Sequence, residues 1–293
     1  MLTDPHVIGF ATSSAYHDLT ADDRVLASAL ERRGVQVVPV VWTEAAPEQI
    51  DCDLLVVRSV WDYHLRPQDF LAWINEAARR VRVVNSPEIV RWNMDKHYLA
   101  EVEAAGFSIP KTLFLQQRSA ADLAGLMKRE GLSEAVVKPA ISASAFETHR
   151  IRADGAATLN DRINELLNSR AMLVQEYVPE IATSGEWSLI FAGRELTHAV
   201  SKLPKSGDFR VQEERGGRHR AAEAPAEARR LAEEVLARFA PDALYCRADI
   251  VMRSRGPTLM ELELIEPSLH FAAAPTAAEV HAEGIKQLLA TGC

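Results

Sequence analysis

The chain is poor in cysteine and lysine, and it has no glycine-rich phosphate loop. Three cysteines in 293 residues, Cys52, Cys246 and Cys293, are too few and too scattered for a disulfide framework, and no two have metal-ligand spacing. That pattern suits a reducing cytoplasm. No stretch approaches the ~20 apolar residues of a membrane span, and Met1 to Phe10 lacks the basic and apolar regions of a leader. Against a net charge of -8 there is no basic run, so neither nucleic acid nor an anionic membrane is an expected partner. Neither G-x-x-x-x-G-K-[ST] nor G-x-G-x-x-G occurs, which excludes the usual P-loop and dinucleotide fingerprints. Cys246 has no histidine placed near it by the strand pattern and reads as a buried structural thiol. Only seven of the 33 basic residues are lysines. Lys138 and Lys202, set within apolar stretches, therefore carry information.

What is present is a change of rhythm. Apolar runs at Val7 to Ala11, Val35 to Trp42, Leu54 to Val57 and Val81 to Val84 alternate with helical patterns, one capped by Thr20 and ended by Gly34, another opened by Pro67. This predicts an open, mostly parallel α/β lobe. A helical stretch over 91–105 leads to a break at Gly106 to Pro110, after which short strands dominate. Strands are expected at Thr112 to Leu115, Ala135 to Lys138 and Met172 to Tyr177, with helices at Ala121 to Glu130 and near Asn160 to Asn168. Trp187 to Phe191 and Glu195 to Ser201 read as one hairpin, and Ala243 to Met252 with Thr258 to Glu266 as another. A helix at Ala226 to Phe239 lies between them, and Thr276 with Glu279 has the form of a capping box for a terminal helix.

The last hairpin holds the sharpest chemistry. Glu261 and Glu263 alternate onto one face of a strand, about 7 Å apart. With Arg255 centring the turn, Asp249 lies opposite Glu261 and Arg247 opposite Glu263, so three carboxylates and a guanidinium share that face while Ala248, Ile250, Leu262 and Leu264 enter the core. Such carboxylates repel unless a cation joins them, and Mg²⁺ bound by carboxylates and nucleotide phosphates is the usual solution. The alternative is a solvated face balanced by arginines. Lys138 closes a strand immediately before Pro139, where its ammonium can meet phosphate or simply snorkel. Gln175, Glu176, Tyr177 and Val178 carry a strand out of its apolar run, leaving backbone that can read a base.

In this order the elements resemble the ATP-grasp superfamily, and most closely its D-cycloserine synthetase-like and prokaryotic glutathione synthetase-like members. The resemblance implies a combined α/β and α+β architecture, an ATP-grasp fold behind an N-terminal open α/β lobe, divided at 1–95, 96–178 and 179–293. It implies an ATP-dependent, ADP-producing ligase that activates a carboxylate and joins it to an amine. Asn93 to Lys96 is similar to the segment supplying one phosphate lysine, Lys96, and Val136 to Pro139 to the strand supplying the other, Lys138. Ser142 and Ser144 lie in Ala140 to Phe146, where such ligases have a glycine-rich phosphate loop. Gln175 to Val178 resembles the adenine hinge, Glu186 the acidic residue near ribose, and Lys202, Arg210 and Arg247 the catalytic positive groups. Asp249, Glu261 and Glu263 fall where the family binds Mg²⁺, two ions in its usual form, although Glu263 stands where Asn is common. Arg58-Ser-Val-Trp-Asp-Tyr-His64, the Lys138-Pro-Ala-Ile-Ser-Ala run and Glu261 to Ser268 carry the cycloserine-synthetase likeness. Arg58, Trp61, Asp62, Tyr63 and Ser268 are accordingly expected to hold a small amino-acid-like substrate, such as an O-ureido serine closed into a ring by its own nitrogen. The alternative is that Trp61 and Tyr63 pack the lobe interface, with Arg58 and Asp62 as a structural ion pair. An intermolecular amide ligase, a nucleotide-binding regulator and a kinase-like phosphotransferase stay open, as does a homo-oligomer.

Overall fold

The computed structural model describes residues 6–205 and 216–290, which build three sheets. The first contains β1 (Val7–Thr12), β2 (Gln36–Val41), β3 (Leu54–Val57) and β4 (Arg82–Val84) in the order β2-β1-β3-β4, all parallel. Helices α1 (Ala21–Glu31) and α2 (Pro67–Ala77) form its crossovers. The Thr20 hydroxyl accepts from the Asp23 amide at 3.0 Å, and Gly34 at φ 77 ends the first crossover helix. All four residues of β3 are buried because both faces of a parallel strand are covered: Leu54 and Val56 pack with Leu26 and Leu30, Leu55 and Val57 with Phe70 and Trp73. The terminal helix α9 (Ala277–Ala290) closes the first of these clusters. Glu279, expected to reach back to Thr276, instead pairs with Arg32 and Arg33 just beyond the end of α1, beside the buried Ala278, Ala282 and Ile285 that hold α9 to this lobe.

The stretch expected as one helix over 91–105 is two, α3 (Pro87–Met94) and α4 (Tyr98–Ala104). They part at Asp95, whose φ/ψ of -99/116 is extended and whose carboxylate accepts the His97 amide at 3.0 Å. The second sheet follows, with β5 (Thr112–Leu115), β6 (Glu134–Pro139), β7 (His149–Arg152) and β8 (Met172–Glu176) in antiparallel order β5-β8-β6-β7. Helices α5 (Leu123–Glu130) and α6 (Asn160–Leu167) supply Leu123, Met127, Ile163 and Leu167 to its core. After the single turn α7 (Glu180–Thr183), the third sheet is β9 (Glu186–Ala192), β10 (Glu195–Leu203), β11 (Arg218–Ala221), β12 (Tyr245–Arg253) and β13 (Gly256–Glu263), ordered β11-β10-β9-β12-β13 and antiparallel. Helix α8 (Ala226–Phe239) lays Ala228, Leu231, Ala232, Val235 and Leu236 against it. Among the described residues no helix is long and apolar enough to cross a membrane.

The β12–β13 register departs from the sequence expectation at its tip and then recovers it. Arg253 pairs with Gly256 around a two-residue turn of Ser254 and Arg255, not a turn centred on Arg255. Continued unbroken, that register would put Glu261 opposite Ala248 and Glu263 opposite Cys246, both wholly buried. An extra residue on β13, Met260, forms a bulge, and beyond it Asp249 faces Glu261 and Arg247 faces Glu263. The outer edge of β13 is sealed by side chains from α3 and α4: Asn93 donates to the Leu262 carbonyl at 2.7 Å and accepts from the Leu264 amide at 2.9 Å, and Tyr98 accepts from the Leu262 amide at 2.8 Å.

Candidate functional site

That edge contact sets the first part of a cavity of about 300 Å³ between the second and third sheets. With Asn93 and Tyr98 fixed on β13, the break between their helices points Lys96 inward, where its ammonium meets Glu261 at 2.9 Å and the Ser142 carbonyl at 2.9 Å. From β12, Arg247 bonds both oxygens of Asp249, the Glu263 carboxylate and the Ser268 carbonyl at 3.1 Å. Lys202 on β10 lies between Glu186 at 2.5 Å and Asp249 at 3.0 Å, and the Ser188 hydroxyl donates to Asp249. Burial works against the Asp249 charge, yet Arg247, Lys202 and Ser188 hold its carboxyl below the ordinary range. Glu261 is likewise held down against burial by Lys96 and Lys138.

Lys138 differs from the other cations. Among the described residues it forms no ion pair; burial lowers its pKa, Glu261 opposes that shift and Lys96 adds to it. The loop after it has no glycine, but Ser144 and Ala145 take φ 51 and 54, the left-handed region a glycine would supply. Ser142 is turned inward, its hydroxyl donating to the Pro139 carbonyl at 3.3 Å, while Ser144 lies exposed on the cavity rim. Of the expected hinge, Gln175 lines the cavity and donates to Thr112 at 2.9 Å. Side chains of the next three residues point elsewhere: Glu176 takes both Arg253 nitrogens at 2.7 and 3.1 Å, Tyr177 lies under the Arg150 guanidinium at 3.7 Å, and Val178 packs with Ile181 and Val251. Val136, Ile181 and Met260 provide an apolar wall beside Gln175 that sequence reading missed. The signal was faint, since only the bulge brings Met260 there.

Trp61, Tyr63 and Ser268 line the cavity as expected of a substrate wall, but Arg58 and Asp62 do not. Arg58 is 2 % exposed, paired with Asp23 at 2.8 Å and donating to the Pro267 carbonyl at 3.1 Å. Its partner is thus Asp23, not Asp62, whose carboxylate accepts from the Trp42 indole at 2.7 Å. Arg210 lies outside the described residues. The structure adds Glu266, His219 and His270 to the wall. His270 is kept neutral, at about 2, by burial and by the Arg247 and Lys202 charges, and its Nε2 has no partner among the described residues.

The donors fit a hard cation in charge and type. Five carboxylates, Glu186, Asp249, Glu261, Glu263 and Glu266, face four cations, Lys96, Lys138, Lys202 and Arg247. Burial, reinforced by neighbouring carboxylates, pushes Glu263 up to about 7 and Glu266 to about 8, so acid exceeds available positive charge. Asp249, Glu261 and Glu263 offer the oxygen ligands that Mg²⁺ takes. Among the described residues they are not gathered into a ligand cluster, because each closes on lysine or arginine.

Two antiparallel sheets closing on a cavity of lysines and carboxylates make this an ATP-grasp fold. Residues 102–268 match the family model of the prokaryotic glutathione synthetase ATP-grasp domain, and residues 8–85 that of the D-cycloserine synthetase DcsG N-terminal domain. The chain belongs to the ATP-grasp family described by the first of these, and it is an ATP-grasp ligase. It is 27% identical over 299 residues to the cycloserine biosynthesis protein DcsG of Streptomyces lavendulae, covering 97% of this chain and 99% of that one. The crystal structure of D-cycloserine synthetase DcsG superposes with a TM-score of 0.85 at 25% identity, over 97% of this chain and 99% of that one. The fold is also that of a D-alanine–D-alanine ligase from Bacillus anthracis complexed with ATP, TM-score 0.68 at 14% identity, over 98% and 97%. ATP and Mg²⁺ go with this fold.

Proposed function

We propose that the protein is a carboxylate–amine ligase working through an acyl phosphate, and that it closes an O-ureido-serine-like amino acid into a cycloserine-like ring. The observation that carries this reading is the composition of one cavity: an apolar wall of Val136, Ile181 and Met260, four cations, and an aromatic wall of Trp61 and Tyr63. Likeness to DcsG along nearly the whole chain supports the cyclising version. The same reading divides the chain at 1–95, 96–178 and 179–293.

In this scheme adenine occupies the apolar wall beside Gln175, and Lys96, Lys138 and Lys202 neutralise the triphosphate. A substrate carboxylate oxygen attacks the γ-phosphorus as the bond to the β–γ bridging oxygen breaks, releasing ADP. The substrate's own nitrogen then attacks the acyl carbon; a C–N bond forms, inorganic phosphate leaves and the nitrogen loses a proton. Asp249, Glu261 and Glu263 would hold Mg²⁺, two ions in this reading, which when bound supplies charge neutralisation on the phosphates. Arg247 keeps Asp249 and Glu263 aligned. The protein's contribution is positioning and fixed charge.

Purified protein with ATP, Mg²⁺ and each enantiomer of O-ureido-serine tests the reading by phosphate release and product mass. A cyclised product retains one substrate backbone, whereas intermolecular ligation joins two. Glu261→Gln is expected to cut substrate-dependent phosphate release about 100-fold or more with the circular dichroism unchanged. Near-normal turnover in that variant would refute the role given to Glu261.

A further inference from the structure

We propose that Glu266, Trp61 and Tyr63 form a site for the substrate's ammonium group, so that the enzyme takes α-amino acids in preference to the corresponding des-amino acids. This rests on the ligase reading above and names the feature by which its substrate is selected.

Four of the five cavity carboxylates are already matched to cations. Glu186 meets Lys202 at 2.5 Å, Asp249 meets Lys202 at 3.0 Å and Arg247 at 3.1 Å, Glu261 meets Lys96 at 2.9 Å, and Glu263 meets Arg247. Glu266 has no cation partner among the described residues, although it lines the same cavity. Lys96 is the nearby candidate, but its ammonium is committed to Glu261 and the Ser142 carbonyl. The surroundings of Glu266 are aromatic. The Trp61 indole donates to the Glu266 carbonyl at 2.8 Å, which fixes that ring beside the residue, and the hydroxyl of buried Tyr63 hydrogen-bonds the Glu266 carboxylate. A buried carboxylate held by a phenol hydroxyl and beside an indole N–H attracts a compact organic cation by charge. Mg²⁺ wants several oxygen ligands at short range, and an indole supplies none. An ammonium next to Glu266 would be the positive partner that each of the other four carboxylates already has.

The test compares O-ureido-D-serine with 3-(ureidooxy)propanoic acid, which lacks only the α-amino group. Binding of each is measured calorimetrically to the full protein with a non-hydrolysable ATP analogue and Mg²⁺. The wild type is expected to bind the amino acid about 30-fold or more tightly than the des-amino acid, the scale of a buried charge pair losing one partner. Glu266→Gln is expected to remove that preference by weakening the amino acid alone, with the des-amino acid and the nucleotide analogue binding as before. Equal binding of the two probes by the wild type overturns the proposal, as does binding of neither. Survival of the preference in Glu266→Gln, or equal weakening of both probes, also overturns it. Phosphate release is read separately: preference without ATP turnover would refute the ligase reading and leave the ammonium site standing.

Discussion

Arg58 stands in a run that resembles a substrate segment, yet the structure gives it a different task, and replacing it separates the two. The guanidinium is 2 % exposed, 2.8 Å from Asp23, which is itself buried, and 5.1 Å from the centre of the Tyr245 ring. Its bond to the Pro267 carbonyl ties the end of β3 to the loop after β13. Arg58→Met keeps much of the side-chain volume but leaves Asp23 with the Thr20 hydroxyl at 2.8 Å as its remaining side-chain donor. Asp22 next to it is already pushed up by burial, opposed by Arg58 and by the Phe271 and Leu269 amides, so loss of the guanidinium leaves Asp23 without its ion pair and pushes Asp22 further up. Breaking a buried pair from one side costs about 3–5 kcal/mol, a large share of a typical domain's stability. Urea unfolding at neutral pH is expected to register that loss, with KM for ATP and for the amino acid unchanged in the folded fraction. Asp23→Leu combined with Arg58→Met is expected to recover at least about half of it, because removing both charges also removes the unpaired one. A loss below about 1 kcal/mol together with a large rise in KM for the amino acid would refute the structural assignment.

Lys138 and Lys202 are expected to respond oppositely to methionine. Lys138→Met, which removes a desolvated charge with no ion pair among the described residues, is expected to leave thermal stability unchanged or raised while weakening ATP about 10- to 100-fold by calorimetry. Lys202→Met leaves Glu186 and Asp249 without their shared ammonium and is expected to lower the melting temperature clearly. Glu266 gives a pH signature. Its carboxyl is raised to about 8 when folded against an ordinary value near 4.5, so the folded state binds the proton more tightly. Its contribution is therefore full below the ordinary value and is lost as pH rises toward 8. Between pH 5 and 9 the ligand-free wild type is expected to lose up to about 4 kcal/mol that Glu266→Gln retains, read by urea unfolding at each pH. Parallel curves for the two proteins would refute the shift.

The parallel lobe was legible because its signals are local. Leu54 to Val57 is an unbroken apolar run, Thr20 and Gly34 bracket a helix, and Pro67 opens the next. The lysines and carboxylates of the site were legible for a related reason: a charged residue inside an apolar strand pattern is conspicuous. Strands β7 and β11 were not, since His-Arg-Ile-Arg and Arg-His-Arg-Ala carry one apolar residue each and pair only because longer strands lie beside them. Arg58 was misread because its true partner lies 35 positions away on α1, a contact that spacing along β3 cannot reveal. Glu266 was overlooked for a similar reason. It lies after the end of β13, where alternation stops being a guide to direction, and its lack of a cation partner among the described residues shows only once the other four carboxylates are seen paired.

The bulge at Met260 explains how one hairpin lines the cavity with two kinds of surface. In a regular strand adjacent residues face opposite sides, so Met260 and Glu261 could not both line a cavity. With Met260 as the extra residue, both do: Leu259 is buried, Met260 and Glu261 are both half-buried and Leu262 is buried, where strict alternation would give single steps. The thioether joins Val136 and Ile181 in the apolar wall while the next side chain joins Asp249 and Glu263 among the charges. Two surfaces of opposite character, matching the positions proposed for a purine and its phosphates, thus come from consecutive residues. The same extra residue carries Glu261 and Glu263 away from the core-facing Ala248 and Cys246, so the tight turn at Ser254–Arg255 and the acidic face can coexist in one hairpin.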